Sequence, residues 1–487
     1  MHTTLQLDKL KKPVWVLKTG SLGLKLRSYM TYLSQLATDH PRLTAWGKVV
    51  LVFTLFFIVC FGTLDPDFGW HLQAGNYFRA HGIPSHDVFS YTARNFPWID
   101  HEWGNDVLTS YLYQFGGYVL LSLVFAGLWT LGLMINALRV RLIFILMAIA
   151  AMIPYVVIRP TVWDVLGLSI LINLLVIRKS SKAIWWLPLI FLVWANLHGG
   201  FILGLAVVFY FALIKRSRSL LLMGLACTLV SFINPYGPRL YVEIFRTLTD
   251  LSLHGQTEGM ASLAVGFAAW PLIALWGAGL WSQGRKQFLA WMGLSPLLLL
   301  ASFVATRNLP LFVVVATPEL NNYYTQVKKL IPKQLPRYAK KLFYIMTLAI
   351  LGLTIYIIYP YAIPTSNRDA NYPVAAVAYL KNHPCTGSLF NDFNFGGYLI
   401  WKLPSVPVFI DGRMASWRNP QGEKYLDIYL NAVNDPSVRQ TVFKQYDITC
   451  ALVQNNVNWS VFISQLKAQG WQAPVVANQT TLLVAPR

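Results

Sequence analysis

Residues 65–106 read DPDFGWHLQAGNYFRAHGIPSHDVFSYTARNFPWIDHEWGND. Asp65, Asp67, Asp87, Asp100, Glu102 and Asp106 stand here with His71, His81, His86 and His101, among Trp70, Trp98 and Trp103. The whole 487-residue chain holds only 20 Asp and Glu residues, so this clustering calls for an explanation. Apolar runs lie on either side, which sets the stretch just outside a bilayer. It is the first candidate for a catalytic loop that binds a cation or takes a proton.

Composition points the same way. The chain is 55% hydrophobic and 12% charged, about half the charged share of a soluble domain, which is roughly 25%. The net charge of +20 invites a nucleic-acid partner. Its distribution argues against one, because Lys and Arg fall in short loops that alternate with neutral or acidic ones. That is the positive-inside pattern of a multi-pass protein attracted to anionic membrane lipids.

The chain carries four cysteines. Cys60 and Cys227 lie in apolar runs and read as small core residues. Cys385 and Cys450 lie near the C-terminus, where a disulfide is permitted but not required. A basic leader precedes the first apolar run, so an uncleaved anchor is expected rather than a cleaved signal peptide.

Apolar runs cover about 47–64, 117–137, 142–158, 163–177, 184–197, 201–214, 219–233, 264–282, 288–305, 309–322 and 342–359. They predict some eleven membrane-spanning helices. Every even-numbered run ends on a cationic loop, which predicts a cytoplasmic N-terminus. Residues 65–116, a second polar loop over 240–262 and everything after the last run then fall outside the cytoplasm. Residues 1–45 form a basic cytoplasmic segment, either an amphipathic surface helix or a loose tail. Residues 46–360 form the transmembrane domain.

After residue 360 the pattern changes. β-like runs at 388–390, 406–410, 450–453, 474–476 and 481–484 alternate with helical patterns at 373–383, 422–433, 436–446 and 460–469. This predicts a small extracytoplasmic α/β domain over 361–487. The expected fold class is thus a polytopic α-helical membrane protein with a C-terminal α/β domain.

Several groups suit chemistry. Asp65, Asp67, Asp100 and Glu102 offer oxygen ligands for Mg²⁺ or Mn²⁺, or a general base, and His71 or His101 can join either arrangement. The plain alternative is a solvated loop whose aspartates cap short helices. Arg159, Asp164, His198, Arg239 and Arg307 stand at the outer ends of apolar runs. Ionisable groups at that depth face a cavity or a partner, and cations there suit a lipid-linked phosphate. Their alternatives are snorkelling or a structural pair such as Arg159 with Asp164. Glu258, in the second polar loop, is placed to act as a clamp or ligand. Asn391–Trp401 and Val408–Arg413 each join a β-like run to Asp and Gly, making Asp392, Tyr398, Asp411 and Arg413 candidate binding residues, or simply turn formers.

At these residues the chain resembles the GT-C superfamily of membrane glycosyltransferases, and especially the oligosaccharyltransferase catalytic subunit. Those proteins carry Asp-Pro-x-Phe-Asn-Tyr-Arg, a helix and His-Gly after their first span. Here Asp65-Pro66-Asp67-Phe68-Gly69-Trp70-His71 is followed by Tyr77-Phe78-Arg79-Ala80-His81-Gly82. Their external domain carries Trp-Trp-Asp-Tyr-Gly-Tyr, then a strand and an Asp. Here Asn391-Asp392-Phe393-Asn394-Phe395-Gly396-Gly397-Tyr398 precedes Phe409-Ile410-Asp411, without the tryptophan pair. The chain also resembles an uncharacterised group of bacterial membrane proteins sharing Asp-Pro-Asp-x-Trp-Trp-His-Leu, Asn-Leu-His-Gly-Gly and Asn-Pro-Tyr-Gly. These are Asp65–Leu72, with Gly69 at the first tryptophan, then Asn196–Gly200 and Asn234–Gly237.

The superfamily resemblance implies an inverting transfer of sugar from a polyprenyl-phosphate donor to a glycan, lipid or protein acceptor. It would occur on the outer side of the inner (plasma) membrane. Asp65, with Asp67 and Glu258, would hold a divalent cation, or Asp65 would act as base, and Arg307 would hold the lipid phosphate. Asp100-His101-Glu102 lies in the first loop, whereas the family's second acidic pair lies in a later one. Two other classes stand beside this reading: a non-catalytic membrane subunit or scaffold with a degenerate GT-C fold, possible within a protein complex, and a lipid flippase or transporter. Fold analogy alone does not choose among them.

Overall fold

The fold is that of a computed structural model, which describes residues 41–178, 182–250, 269–281, 293–330, 369, 371–477 and 479–486, with isolated positions 345, 349, 352 and 356. Residues 1–40 of the basic N-terminal segment expected over 1–45, His254, Glu258 and nearly all of the run at 342–359 lie outside the described residues. Residues 51–487 pack as one unit.

Each of the first ten apolar runs falls on a helix. These are α1 (Pro41–Gly62), α3 (Trp103–Met134), α4 (Leu142–Met152), α5 (Val162–Ile172), α6 (Leu187–Leu197), α7 (Phe201–Ile214), α8 (Arg218–Val230), α10 (Trp270–Trp281), α11 (Leu294–Val304) and α12 (Leu309–Leu330). Among the described residues two segments, Thr44–Gly62 and Trp103–Met134, are long and apolar enough to cross a membrane. Six apolar helices are shorter.

Helix α3 explains why its apolar run starts late. Gly116 and Gly117 break the helical path, and Gly117 sits at φ +59°, a conformation that glycine adopts without a Cβ penalty. The break divides a polar first part, carrying Asn105 and Asp106, from the apolar remainder. Helix α12 is longer than the run at 309–322. It carries Pro318 and Glu319 inside, and Glu319 accepts hydrogen bonds from Trp276 Nε1 at 2.9 Å and Ser295 Oγ at 2.6 Å. Partnered in this way, a polar group is tolerable within an apolar bundle.

Two polar helices lie between the apolar ones. Helix α2 (Phe68–His81) forms from the first loop. Helix α9 (Arg239–Thr249) occupies the start of the second polar region, which reads as loop in the sequence. Leu240 and Ile244 of α9 are buried while Val242, Phe245 and Leu248 are exposed. The 3.6-residue period is therefore present, with apolar residues on both faces.

The C-terminal domain holds α13 (Val374–Asn382), β1 (Ser388–Asn391), α14 (Gly396–Lys402), α15 (Tyr425–Asn434), α16 (Pro436–Gln445), β2 (Ile448–Gln454), α17 (Ser460–Ala468), β3 (Gln472–Ala477) and β4 (Thr480–Val484). The sheet order is β1-β2-β4-β3, with β1 and β2 parallel and the other pairs antiparallel. Cys385 and Cys450 form a disulfide that ties the approach to β1 onto β2.

The expected strand at 406–410 does not join this sheet. Its backbone groups are used elsewhere. Val408 N donates to Phe89 O at 3.0 Å, Tyr91 N donates to Val408 O at 3.1 Å, and the Asn391 side chain bonds both Phe409 N and Ile410 O at 2.8 Å. The segment therefore ties the domain to the first loop instead of extending the sheet.

Candidate functional site

The first loop begins as a tight turn. Asp67 N donates to Asp65 Oδ1 at 2.9 Å and Phe68 N to Asp65 O at 3.1 Å, which starts α2. Arg159, from the turn between α4 and α5, reaches both acids. Its Nη2 lies 3.2 Å from Asp65 Oδ1 and 2.6 Å from Asp67 Oδ2. Trp70 Nε1 donates to Asp67 Oδ1 at 3.1 Å. Asp65 is buried, and burial pushes its carboxyl above the usual range, opposed by the Arg159 guanidinium. Asp67 keeps about a quarter of its side chain exposed (26%).

The C-terminal domain packs directly against this turn. A Cβ on Gly69 would stand 2.0 Å from Gly397 O, and one on Gly412 would stand 2.0 Å from Asp67 Oδ1. At Gly69, where the obstacle is the Gly397 backbone, only glycine fits, whereas at Gly412 the close neighbour is the Asp67 side chain. Tyr372 donates its hydroxyl to Leu64 O at 2.8 Å, Tyr91 to Leu389 O at 3.0 Å, and Thr92 Oγ1 to Phe409 O at 2.6 Å. Lys424 Nζ bonds Asp250 Oδ1, after α9, at 2.5 Å.

The next residue on α2 turns the other way. His71 points its Nε2 to Glu102 Oε2 at 3.6 Å and its Nδ1 to Asp106 Oδ1 at 2.7 Å. Glu102 Oε1 lies 3.1 Å from His198 Nε2 and 3.6 Å from His101 Nε2. His198 Nδ1 rests on Asp164 at 2.7 Å, and Trp194 Nε1 donates to the same carboxylate at 3.0 Å. Residues from α2, α3, α5 and the end of α6 thus make a continuous row: Asp106, His71, Glu102, His198, Asp164.

The row is largely buried and strongly polarised. Although burial opposes ionisation, the imidazoles of His101, His71 and His198 hold Glu102 well below the usual carboxylate range. Burial would lower His198, but Asp164 and Glu102 push it up to about 10. Burial lowers His101, with Glu102 opposing and His198, His71 and Arg307 acting in the same direction as burial. Burial, with Asp106 and Glu102 nearby, drives Asp100 well above its ordinary value. Asp100 Oδ2 and Asp106 Oδ2 are buried atoms without a hydrogen-bond partner.

Asp65, Asp67 and Arg159 therefore come together as one group. His71, Asp100, His101, Glu102 and His198 come together as a second, joined to the first through Trp70 and His71, whose rings lie 3.6 Å apart. Arg307 is exposed and close enough to act on His101. Glu258, expected as clamp and ligand, lies outside the described residues.

The four C-terminal candidates are turned inward, which corrects the expectation that they face a ligand. Asp392 is 2% exposed; its carboxylate accepts from Asn394 N at 2.8 Å and Gln454 Nε2 at 3.4 Å. Tyr398 is buried and stacks on Tyr372 at 4.9 Å. Asp411 and Arg413 form a buried trio with Asp87: Arg413 Nη1 to Asp87 Oδ1 and Arg413 Nη2 to Asp411 Oδ2 are both 2.7 Å. The guanidinium also lies 4.6 Å from the Trp98 ring centre. The trio joins the domain to the first loop, whereas the Asp392 carboxylate is paired within the domain.

The sequence names Asp87 and Asp106 in the first-loop cluster without giving them a role, gives no sign of Trp194, and offers Arg159 as an alternative partner for Asp164, which the structure pairs with His198. The signal that could have found the true pair is Asn-Leu-His-Gly-Gly, because a Cβ on Gly200 would stand 2.1 Å from Asp164 Oδ1.

The Mg²⁺ or Mn²⁺ expected at Asp65 and Asp67 fits poorly. A hard cation needs free carboxylate oxygens and room for water. Here Asp65 Oδ1 and both Asp67 oxygens already accept hydrogen bonds, and the shared guanidinium repels a second cation. Among the described residues, the group able to converge on an ion is His101, Glu102 and His198.

No family model and no curated protein sequence matches the chain. Its structure is similar to the archaeal oligosaccharyltransferase AglB from Archaeoglobus fulgidus, solved in complex with an inhibitory peptide and a dolichol-phosphate. The TM-score is 0.50 and the identity 12%, over 86% of this chain and 70% of that chain. The likeness is one of fold alone.

Proposed function

We propose that this protein is a membrane glycosyltransferase of the GT-C type, moving a sugar from a polyprenyl-phosphate-linked donor to an acceptor on the extracytoplasmic side. One observation carries the reading. In a fold like that of AglB, the Asp65–Asp67 turn directly after α1 lies beneath a docked C-terminal domain and beside a buried carboxylate–imidazole row.

The chemistry follows from the positions. An acceptor nucleophile attacks the anomeric carbon, the bond from that carbon to the phosphate oxygen breaks, and the lipid phosphate leaves as an anion. Asp67, the more exposed acid of the pair, takes the acceptor proton. Arg307, exposed beside His101, and Arg159 stabilise the departing phosphate. An apolar groove of about 230 Å³, lined by Trp163, Leu166, Ile170, Leu189, Val193 and Trp194, runs along α5 and α6 toward His198 and suits the lipid chain.

The Cys385–Cys450 disulfide supports an oxidising compartment for the domain, and the loop charges support the same side. Exposed Leu213, Leu222, Leu229 and Trp281 suit contact with lipid.

A second reading, a non-catalytic subunit of the same fold, is favoured by one fact: Arg159 already neutralises both Asp65 and Asp67.

Membranes loaded with a labelled polyprenyl-linked sugar pool separate the two. Wild-type protein moves label from the lipid-extractable to the lipid-free fraction. D65N/D67N, folded by size-exclusion profile, moves it at least a hundredfold more slowly, as expected when a base and its electrostatic partner are removed together, each typically worth about 10² or more. Transfer by D65N/D67N at the wild-type rate overturns the assignment of these acids. No transfer by either protein favours the subunit.

A further inference from the structure

We propose that His101, Glu102 and His198 are the ligands of a transition-metal ion, with Zn²⁺ preferred over Mg²⁺, at the outer end of α6. The inference stands on these donors alone and does not depend on the transfer reaction.

The donor spacing is that of a metal shell. His101 Nε2, Glu102 Oε1 and His198 Nε2 lie within 4.8 Å of one another. The two nitrogens stand 3.6 and 3.1 Å from the shared oxygen. Around a tetrahedral zinc with arms of about 2.0–2.2 Å, neighbouring donors stand about 3.3 Å apart. Two imidazoles and one carboxylate suit zinc, whereas Mg²⁺ takes oxygen ligands and water.

The surroundings match what a ligating histidine needs. A metal-bound imidazole almost always gives its other N–H to a carboxylate or carbonyl, which fixes the ring. His198 has its Nδ1 on Asp164 at 2.7 Å, and Asp164 is itself held by Trp194 Nε1 at 3.0 Å. His71 repeats the device with Asp106 and presents its Nε2 to the second oxygen of Glu102 at 3.6 Å. It steadies the carboxylate from behind.

The two glycines after His198 leave room for both neighbours. A Cβ on Gly199 would stand 3.0 Å from His101 Cδ2, and one on Gly200 would overlap Asp164. The Asn-Leu-His-Gly-Gly turn therefore brings one imidazole to the donor group while making space for the other and for the carboxylate that orients it. A third of the His101 side chain is exposed, so an ion has a path from solvent and a fourth position for water or a substrate oxygen.

The test uses the full-length protein in detergent, its affinity tag removed, stripped with chelator and dialysed against Zn²⁺. Metal is counted by mass spectrometry, and Co²⁺ substitution is followed by visible absorption. The wild type retains one zinc per chain, Co²⁺ gives the strong absorption of a four-coordinate site, and millimolar Mg²⁺ displaces neither. H101A removes a partly exposed ligand and should fold; it binds zinc at least tenfold more weakly. D164N leaves the three donors in place and weakens zinc about 10- to 100-fold. D65N/D67N retains zinc, which separates this site from the acids of the transfer proposal. H101A holding zinc as tightly as the wild type, displacement by Mg²⁺, or no zinc retained by the wild type overturns the proposal.

Discussion

The first loop and the C-terminal domain both carry Asp beside Gly at the ends of apolar runs, and their aspartates have different uses. In the C-terminal domain Asp392 caps its own turn and Asp411 closes on Arg413, which also takes Asp87. Asp392 and Asp411 are no more than 2% exposed and are matched within their own domain, while Asp87, 4% exposed, is the first loop's share of the same buried trio. In the first loop Asp67 and Glu102 meet groups delivered from distant helices: Arg159 from the α4–α5 turn, and His198 from the end of α6. Glu102 is buried and Asp67 half-buried, with His101 partly exposed and Arg307 exposed beside them. The lesson is physical. A carboxylate that is buried and fully paired holds structure, even when its partner comes from far along the chain as Arg413 does for Asp87, whereas one left partly open where several elements converge can meet a ligand.

The comparison can be broken most severely at Arg413. Replacing it by alanine leaves Asp87 and Asp411 buried and unpaired, a loss of roughly 3–5 kcal/mol, typical when one member of a buried ion group is removed. R413A should unfold at clearly lower denaturant, with early proteolytic release of the C-terminal domain. A wild-type denaturation midpoint would show that the trio does not clamp the loop.

A smaller effect sharpens the contrast. Burial raises Asp392 to about 6, above its ordinary value of 3.8. A raised carboxyl contributes stability when protonated, fully present below the unfolded value and lost as pH climbs through the folded one. Wild type should therefore lose stability relative to D392N between about pH 4 and pH 6, while transfer activity at neutral pH stays unchanged. A difference that grows in the opposite direction would mean that Asp392 is charged and paired in the fold.

Much of the architecture was legible because it is local. Helix positions follow from the apolar runs, and four of the five β-like runs are strands, the last two forming an antiparallel pair with no helix between them. Val406–Ile410 did not, because its hydrogen bonds go to Phe89, Tyr91 and Asn391, a choice no short window contains. The concentration of Asp and His over 65–106 marked the region of the site, but not its partners. Arg159 meets Asp65 across 94 residues, and Arg413 meets Asp87 across 326. Asp392 and Tyr398 misled for the complementary reason: Asp and Gly are also what a tight turn requires. The bias of Asp67 and Glu102 toward a cation was visible, yet whether that cation is a guanidinium or a metal ion is decided by which helix ends arrive.

The central claim is that a lipid-linked phosphate reaches the outer end of α5 and α6. Photo-crosslinking with a diazirine-bearing polyprenyl phosphate, followed by peptide mapping, tests it directly. The account predicts labelling of Trp163, Val193 and their neighbours, suppressed by unlabelled polyprenyl phosphate and weakened in R307A. Labels spread evenly over exposed apolar positions such as Leu213, Leu229 and Trp281, with no competition, would contradict it.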